Sequence, residues 1–214
     1  MSPTRIADKR VLFVMATDHE YGPHLKARMS PLITGVGPIE AAVGTTACLQ
    51  QLQAAGELPD LVVSLGSAGS RRCMLGAVYQ IERVSWRDMD ASRLGFPKGA
   101  TPFADFPAVM DLPVLLPDVP HASLSTGGDI VGGEDYDAID ADLVEMETYA
   151  VLRACQRYGV PMIGLRGVSD GPGELEHLSG WTHLLALLDE RLAVAVDQLF
   201  AVLQHEEPAA GITG

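Results

Sequence analysis

The stretch from Pro161 to Val168 is a short, mainly apolar run interrupted by Arg166, bounded by proline on one side and by Ser169-Asp170-Gly171 on the other. A mainly apolar run of that length fits a strand buried on both faces, the kind found in sheets covered by helices. Val11 to Ala16 and Leu61 to Leu65 repeat the pattern. Parallel strands need long crossovers, and helical spacing fills the gaps between these runs. Gly37-Pro38 opens a helix through Ala41, Ala42, Thr45 and Leu49 to Gly56. Proline sits near its first turn, where a missing N–H costs little, and glycine supplies the stop. Alternation of this kind specifies an α/β fold.

Other elements follow the same logic. Pro31 to Gly35 reads as a second short strand, and Ala122 to Ser125 as one leading into Gly127-Gly128-Asp129. Ala77 to Trp86 alternates moderately, as an antiparallel or edge strand would. A helix is expected to start at Asp142 or a neighbour, pass Met146, Ala150, Leu152 and Ala154, and stop near Gly159-Val160-Pro161. Ser179 is expected to cap a long last helix carrying Trp181, Leu184, Leu185, Leu188, Leu192, Val196 and Phe200 at helical spacing. The tail after His205 is polar or Gly-rich and is expected to fray. Residues 88–120 carry six prolines with Phe96, Phe103 and Phe106 between them. Linkers rarely hold so many aromatics, so this is an ordered excursion. The whole chain, 1–214, is expected to form one domain.

Composition removes several classes. Lys+Arg is 15 against 28 Asp+Glu, a formal charge of -13, which would repel a phosphate backbone and argues against nucleic acid. Cys48, Cys73 and Cys155 are odd in number and scattered, which favours a reducing compartment over a disulfide framework. No CxxC or HExxH occurs and the six His are dispersed, so no metal site is expected. The apolar run after Arg10 is too short for a signal peptide, and no stretch approaches membrane-spanning length. A cytoplasmic protein is expected.

The candidates for chemistry are carboxylates and glycines. Asp170 follows a strand end, where open α/β sheets bind small molecules; the same Ser-Asp-Gly-Pro-Gly sequence is also strong turn chemistry. Glu145 and Glu147 point in different directions on a helix, so at most one faces solvent comfortably. A solvated acidic first turn is the alternative, against which Met146, Tyr149 and Ala150 suggest burial. Gly66-Ser67-Ala68-Gly69 reads as a loop that could cradle an anion or a ribose, or as a plain βα turn. Gly35-Val36-Gly37 has the same ambiguity, and Glu40 stands where a dinucleotide fingerprint needs its third glycine. Glu20, just after the first strand, could activate water or simply begin a helix. Asp135, Asp137, Asp140 and Asp142 lack the spacing of an EF-hand loop and read as a solvated acidic loop.

Taken in order, Thr34-Gly35-Val36-Gly37, Gly66-Ser67-Ala68-Gly69, Val144-Glu145-Met146-Glu147 and Arg166-Gly167-Val168-Ser169-Asp170 resemble the methylthioadenosine/S-adenosylhomocysteine nucleosidases, within the nucleoside phosphorylase superfamily. The resemblance runs from the first strand to the last helix. It implies a three-layer α/β/α sandwich around a mixed, partly closed central sheet, and cleavage of the N-glycosidic bond between adenine and a 5'-thio-substituted ribose. By the resemblance, Asp170 is the general acid at adenine N7, and Glu20 positions and deprotonates water, with Ser67 and Arg166 nearby. Glu147 binds the ribose hydroxyls with Met146 against the sugar, and Glu145 and Gly69 belong to the same substrate site. Ile130 and Val131 lie against the purine, and Phe96 and Phe103 fall in a segment that often reaches the neighbouring subunit of a homodimer. No metal or organic cofactor is implied. The chain departs from the family in three places: Asp129-Ile130-Val131 lacks the usual purine-stacking Phe, the stretch from Val131 to Glu145 is short, and Thr148-Tyr149 replace small residues. A nucleoside phosphorylase and a nucleoside-binding module without turnover are the competing readings. A superfamily phosphorylase places Arg just before the Gly-rich segment, where this chain has Leu65.

Overall fold

The computed structural model describes residues 2–171 and 184–205. It contains nine strands: β1 (Thr4–Ile6), β2 (Lys9–Met15), β3 (Leu32–Ile33), β4 (Leu61–Gly69), β5 (Val78–Trp86), β6 (Val109–Asp111), β7 (His121–Thr126), β8 (Leu143–Glu145) and β9 (Met162–Asp170). The α-helices are α1 (Pro23–Lys26), α2 (Pro38–Ala54), α3 (Thr148–Tyr158) and α4 (Leu185–His205). The expected cap at Ser179, the helical position of Trp181 and the fraying of the tail beyond His205 all lie outside the described residues.

The mainly apolar runs become the centre of the sheet because they can be buried on both faces. β2, β4 and β9 run parallel to one another, with Phe13 opposite Val63 and Val63 opposite Ile163. β9 also pairs antiparallel with β5, β5 parallel with β7, β7 parallel with β8, and β8 antiparallel with β4 through Gly69 and Val144. These five strands therefore close on themselves, and β2 extends the sheet outward to β1 and β3. The mixed, partly closed sheet matches the expected fold class.

Helices cover both faces. α2 and α3 pack on one side over Leu12, Val62, Ile81 and Leu124, with Leu49, Leu52 and Cys155 from the helices. α4 covers the other side, where Leu188, Leu192, Val196 and Leu199 meet Phe13, Val63, Leu65 and Ile163. Asp189 of α4 is buried, and its two carboxylate oxygens accept the N–H groups of His24 and Leu25 at 2.8 and 3.0 Å. A carboxylate from one helix thus satisfies the first turn of another.

Three expectations are corrected. Leu143 to Glu145 is a strand, and the helix begins only at Thr148, so neither Glu145 nor Glu147 lies inside a helix. Gly66-Ser67-Ala68-Gly69 is no loop but the C-terminal half of β4, paired with β9 along its length. β5 is neither an edge nor purely antiparallel, since β6, β7 and β9 all pair with it.

Candidate active site

The C-terminal ends of β2, β4, β8 and β9 converge on a cavity of about 420 Å³. That lies within the range of about 300–1,000 Å³ typical of small-molecule sites. Most of its lining is apolar, with the polar groups concentrated on three walls.

Asp170 forms the first wall. The β4–β9 register slips between Ala68 and Gly69, so that Asp170, not Ser169, stands opposite Gly69. Such a bulge turns a strand and re-aims its side chains; here both Ser169 and Asp170 face the cavity. The Ser169 hydroxyl donates to Asp170 Oδ1 at 2.6 Å. Burial pushes the Asp170 carboxyl above its ordinary value, and the Ser169 bond only partly opposes this. Gly69 is required here: a Cβ on it would stand 2.6 Å from Asp170 Oδ2 and 2.5 Å from the Tyr136 hydroxyl.

Glu20 and Ser67 form the second wall. A short 3-10 helix, Asp18–Glu20, follows β2, and Thr17 begins it by accepting the His19 N–H. This turn carries Glu20 over β4, where it is only 8% exposed. Its Oε1 accepts the Ser67 N–H at 2.7 Å and the Ser67 hydroxyl at 2.5 Å. Both carboxylate oxygens lie over Gly66, at 3.2 and 3.5 Å from where its Cβ would be, so the glycines of β4 admit a carboxylate on each side.

Glu147 and Met146 form the third wall, between β8 and α3. Glu147 Oε1 accepts the N–H of Gly37 at 2.8 Å. Gly37 precedes α2 with φ +99°, a conformation that favours glycine. Burial and the neighbouring Glu145 charge raise Glu147 to about 7, against the Gly37 N–H and Arg166, while Glu20 adds to the rise.

Glu145 and Arg166 hold the floor in place. Arg166 is 2% exposed and lies beneath the cavity. It donates to the carbonyls of Ser64 and Leu165, to the Ser64 hydroxyl, to Thr148 Oγ1 at 2.6 Å and to Glu145 Oε2 at 3.0 Å. Glu145 Oε2 also accepts the N–H groups of Glu147 and Thr148, and Oε1 the Thr126 hydroxyl. Burial alone would raise Glu145; Arg166, Thr126 and those N–H groups outweigh it and hold the carboxyl below its ordinary range. The edge of Glu145 reaches the cavity, but its oxygens are engaged.

Of the expected residues, Asp170, Glu20, Ser67, Glu147, Met146, Glu145, Ile130, Val131 and Gly69 line this one cavity. Arg166 does not, and neither does Phe96, which packs edge-on against Phe103 at 5.5 Å. The sequence reading missed Thr17, Arg87, Asp129 and Tyr136. Arg87 lines the cavity and donates to the carbonyls of Ser125, Glu145 and Asp129 at 2.7, 3.0 and 2.6 Å, tying three segments together. The Trp86-Arg87-Asp88 sequence carries no local signal of that role, because its partners come from β7, β8 and the loop after Gly127. No group of His, Cys, Asp and Glu among the described residues could hold a metal ion.

A profile of the phosphorylase superfamily matches residues 132–205. The 5'-methylthioadenosine/S-adenosylhomocysteine nucleosidase of Actinobacillus succinogenes is 33% identical over 162 residues, covering 67% of this chain and 68% of the relative. The enzyme of the same name from an Exiguobacterium species is 30% identical over 193 residues, covering 80% of each chain. The chain belongs to the 5'-methylthioadenosine/S-adenosylhomocysteine nucleosidase family. Among solved structures, the family member from Colwellia psychrerythraea, in complex with adenine, superposes with a TM-score of 0.77 at 18% identity, covering 95% of this chain and 98% of that one. Futalosine hydrolase of Helicobacter pylori superposes with a TM-score of 0.74 at 18% identity over 89% of this chain and 97% of that one, so the nucleosidase fold spans enzymes with differently named substrates.

Proposed function

We propose that this nucleosidase-family chain hydrolyses the N-glycosidic bond of an adenine nucleoside with a 5'-thio-substituted ribose, 5'-methylthioadenosine or S-adenosylhomocysteine. The observation that carries the reading is the convergence of three carboxyl groups on separate walls of one cavity: Asp170, Glu20 and Glu147. Cleavage breaks C1'–N9 and forms a bond from water oxygen to C1'. As adenine departs, the sugar becomes electron-poor, and two supports are needed: a proton for the base and a held water on the opposite side. Asp170, whose carboxyl burial pushes above its ordinary value, gives its proton to adenine N7. Glu20, oriented by Ser67, holds the water and takes its proton. Glu147 accepts the ribose hydroxyls, Met146 packs on the sugar, and Ile130 with Val131 lies along the purine. No cofactor takes part.

Water is favoured over phosphate as nucleophile. Glu20 would repel an anion at the position of attack. Arg166 is engaged through its Nη atoms with Glu145 and Ser64, and Arg87 through its Nη atoms with three carbonyls.

The chain acts as a homodimer, in the cytoplasm. Phe103 is 97% exposed, and Leu94, Val36, Ile39 and Val43 are also exposed, forming apolar surface of the kind that marks an interaction site. Val36 and Ile130 belong both to this surface and to the cavity, so a second copy would complete the mouth. Among the described residues no helix is long and apolar enough to cross a membrane.

The test is base release from a panel of adenosine, inosine, 5'-methylthioadenosine and S-adenosylhomocysteine. Adenine release with kcat/KM highest on the two thio-nucleosides is expected; preference for inosine, or no release from any member, would overturn the reading.

A further inference from the structure

Tyr136 lies in the 3-10 helix Gly133–Ala138, within the short connection between Val131 and β8. The residue is 2% exposed, and its ring packs on Val131 and Val144, both of which line the cavity. Its hydroxyl is buried and has no hydrogen-bond partner. Leaving a buried hydroxyl unpaired is costly, so one with no structural partner points toward a functional one. The direction in which it points is informative. The site where a Gly69 side chain would begin is 2.5 Å from the Tyr136 hydroxyl and 2.6 Å from Asp170 Oδ2. Hydroxyl and carboxyl oxygen therefore both border the gap that Gly69 leaves open.

The two oxygens of Asp170 are not equivalent. Oδ1 is taken by the Ser169 hydroxyl at 2.6 Å, whereas Oδ2 faces the Gly69 gap. We infer that Tyr136 is a positioning residue for the acid step: its hydroxyl donates to Asp170 Oδ2 as the carboxyl hands its proton to the leaving base and becomes a carboxylate. The inference rests on the reading of Asp170 as the acid. In the step, the Asp170 O–H bond breaks, a bond from that proton to the base nitrogen forms, and C1'–N9 breaks with its electron pair going to the base. The Tyr136 proton is shared, not transferred. Burial, then the charge of Asp170, against that of Arg87, hold the Tyr136 phenol up at about 12, so it stays a donor throughout the working range. A donor that meets the carboxylate only once charge develops stabilises the transition state more than the ground state. The hydroxyl thus complements Ser169, one oxygen each.

The experiment compares wild type, Tyr136→Phe and Asp170→Asn on 5'-methylthioadenosine and on 4-nitrophenyl riboside. The nitrophenolate leaves as a stable anion and needs no proton, so this second substrate reports everything except the acid step. Tyr136→Phe should lower kcat on the adenine nucleoside on the order of tenfold, the size expected for a lost bond to a charged group, with KM within twofold. Its rate on the nitrophenyl riboside should be unchanged, and thermal unfolding should show an intact fold. Asp170→Asn should lose the adenine nucleoside and keep the nitrophenyl riboside. Equal losses on both substrates in Tyr136→Phe, or no loss on either, would overturn the role of Tyr136. Retention of the adenine nucleoside by Asp170→Asn would instead overturn the acid assignment beneath it.

Discussion

Glu145 and Glu147 are two residues apart and shift in opposite directions, because burial has been answered for one and not for the other. Glu145 is paired with Arg166 and takes two backbone N–H groups; Glu147 has one N–H from Gly37 and feels the negative charge of its neighbour. Glu147 would ionise near its ordinary value in an unfolded chain and near about 7 in the folded one. Between those pH values the folded chain holds a proton that the unfolded chain has lost, so raising the pH through this window destabilises the free protein. Ribose hydroxyls donate to a carboxylate and so favour its ionised form. KM should therefore rise as pH falls below about 7, and the thermal midpoint of the free protein should fall as pH climbs toward that value. Glu147→Gln should flatten both profiles and should discriminate less than wild type against 2'-deoxy and 3'-deoxy substrates. Steady-state kinetics and thermal melts across pH check this; identical profiles in the mutant would move Glu147 back to a structural role.

At the scale of elements, Arg166 is a tie between β4, β8 and α3, not a wall of the cavity. Breaking a buried pair by removing one partner leaves an uncompensated charge and typically costs about 3–5 kcal/mol. Arg166→Met should thus lower the thermal midpoint on the order of 10 °C, and Glu145→Met added to it should recover part of that loss. Calorimetry decides: an Arg166→Met protein as stable as wild type but inactive would mean that the guanidinium acts in the chemistry. The same pair explains what the sequence could and could not disclose. Val11–Ala16, Leu61–Leu65 and Pro161–Val168 were legible as strands, since a strand buried on both faces is apolar along most of its length, with Ser64 and Arg166 as the exceptions. Leu143–Glu145 was not, because Glu145 is tolerated there through Thr126, nineteen positions before it, and Arg166, twenty-one positions further along the chain. Gly66–Gly69 looked like a loop by composition; it remains a strand because β9 pairs with it, and its glycines make room for Glu20 and Asp170. Tyr136 gave no signal at all, since its significance lies in the gap beside Gly69.

At the scale of the whole molecule, two of the exposed apolar residues, Val36 and Ile130, stand at the cavity itself. Phe103 carries φ +60°, uncommon for a bulky side chain, and it is held exposed against Phe96. A backbone of that kind persists where surrounding structure or function requires it. The proposed homodimer would bury Val36, Ile39 and the Phe96–Phe103 segment. Sedimentation at micromolar concentration should give a dimer, and Ile39→Glu should shift it toward monomer with a raised KM; a fully active wild-type monomer would contradict the arrangement.

Hydrolysis by a water held on Glu20 is the central claim, and the nature of the sugar product tests it most directly. 5'-Methylthioadenosine is incubated with the protein in phosphate-free buffer and then with added phosphate, and the sugar is identified by mass. Adenine and free 5-methylthioribose should form at the same rate in both buffers. Strict dependence on phosphate, with 5-methylthioribose 1-phosphate as the product, would contradict the account.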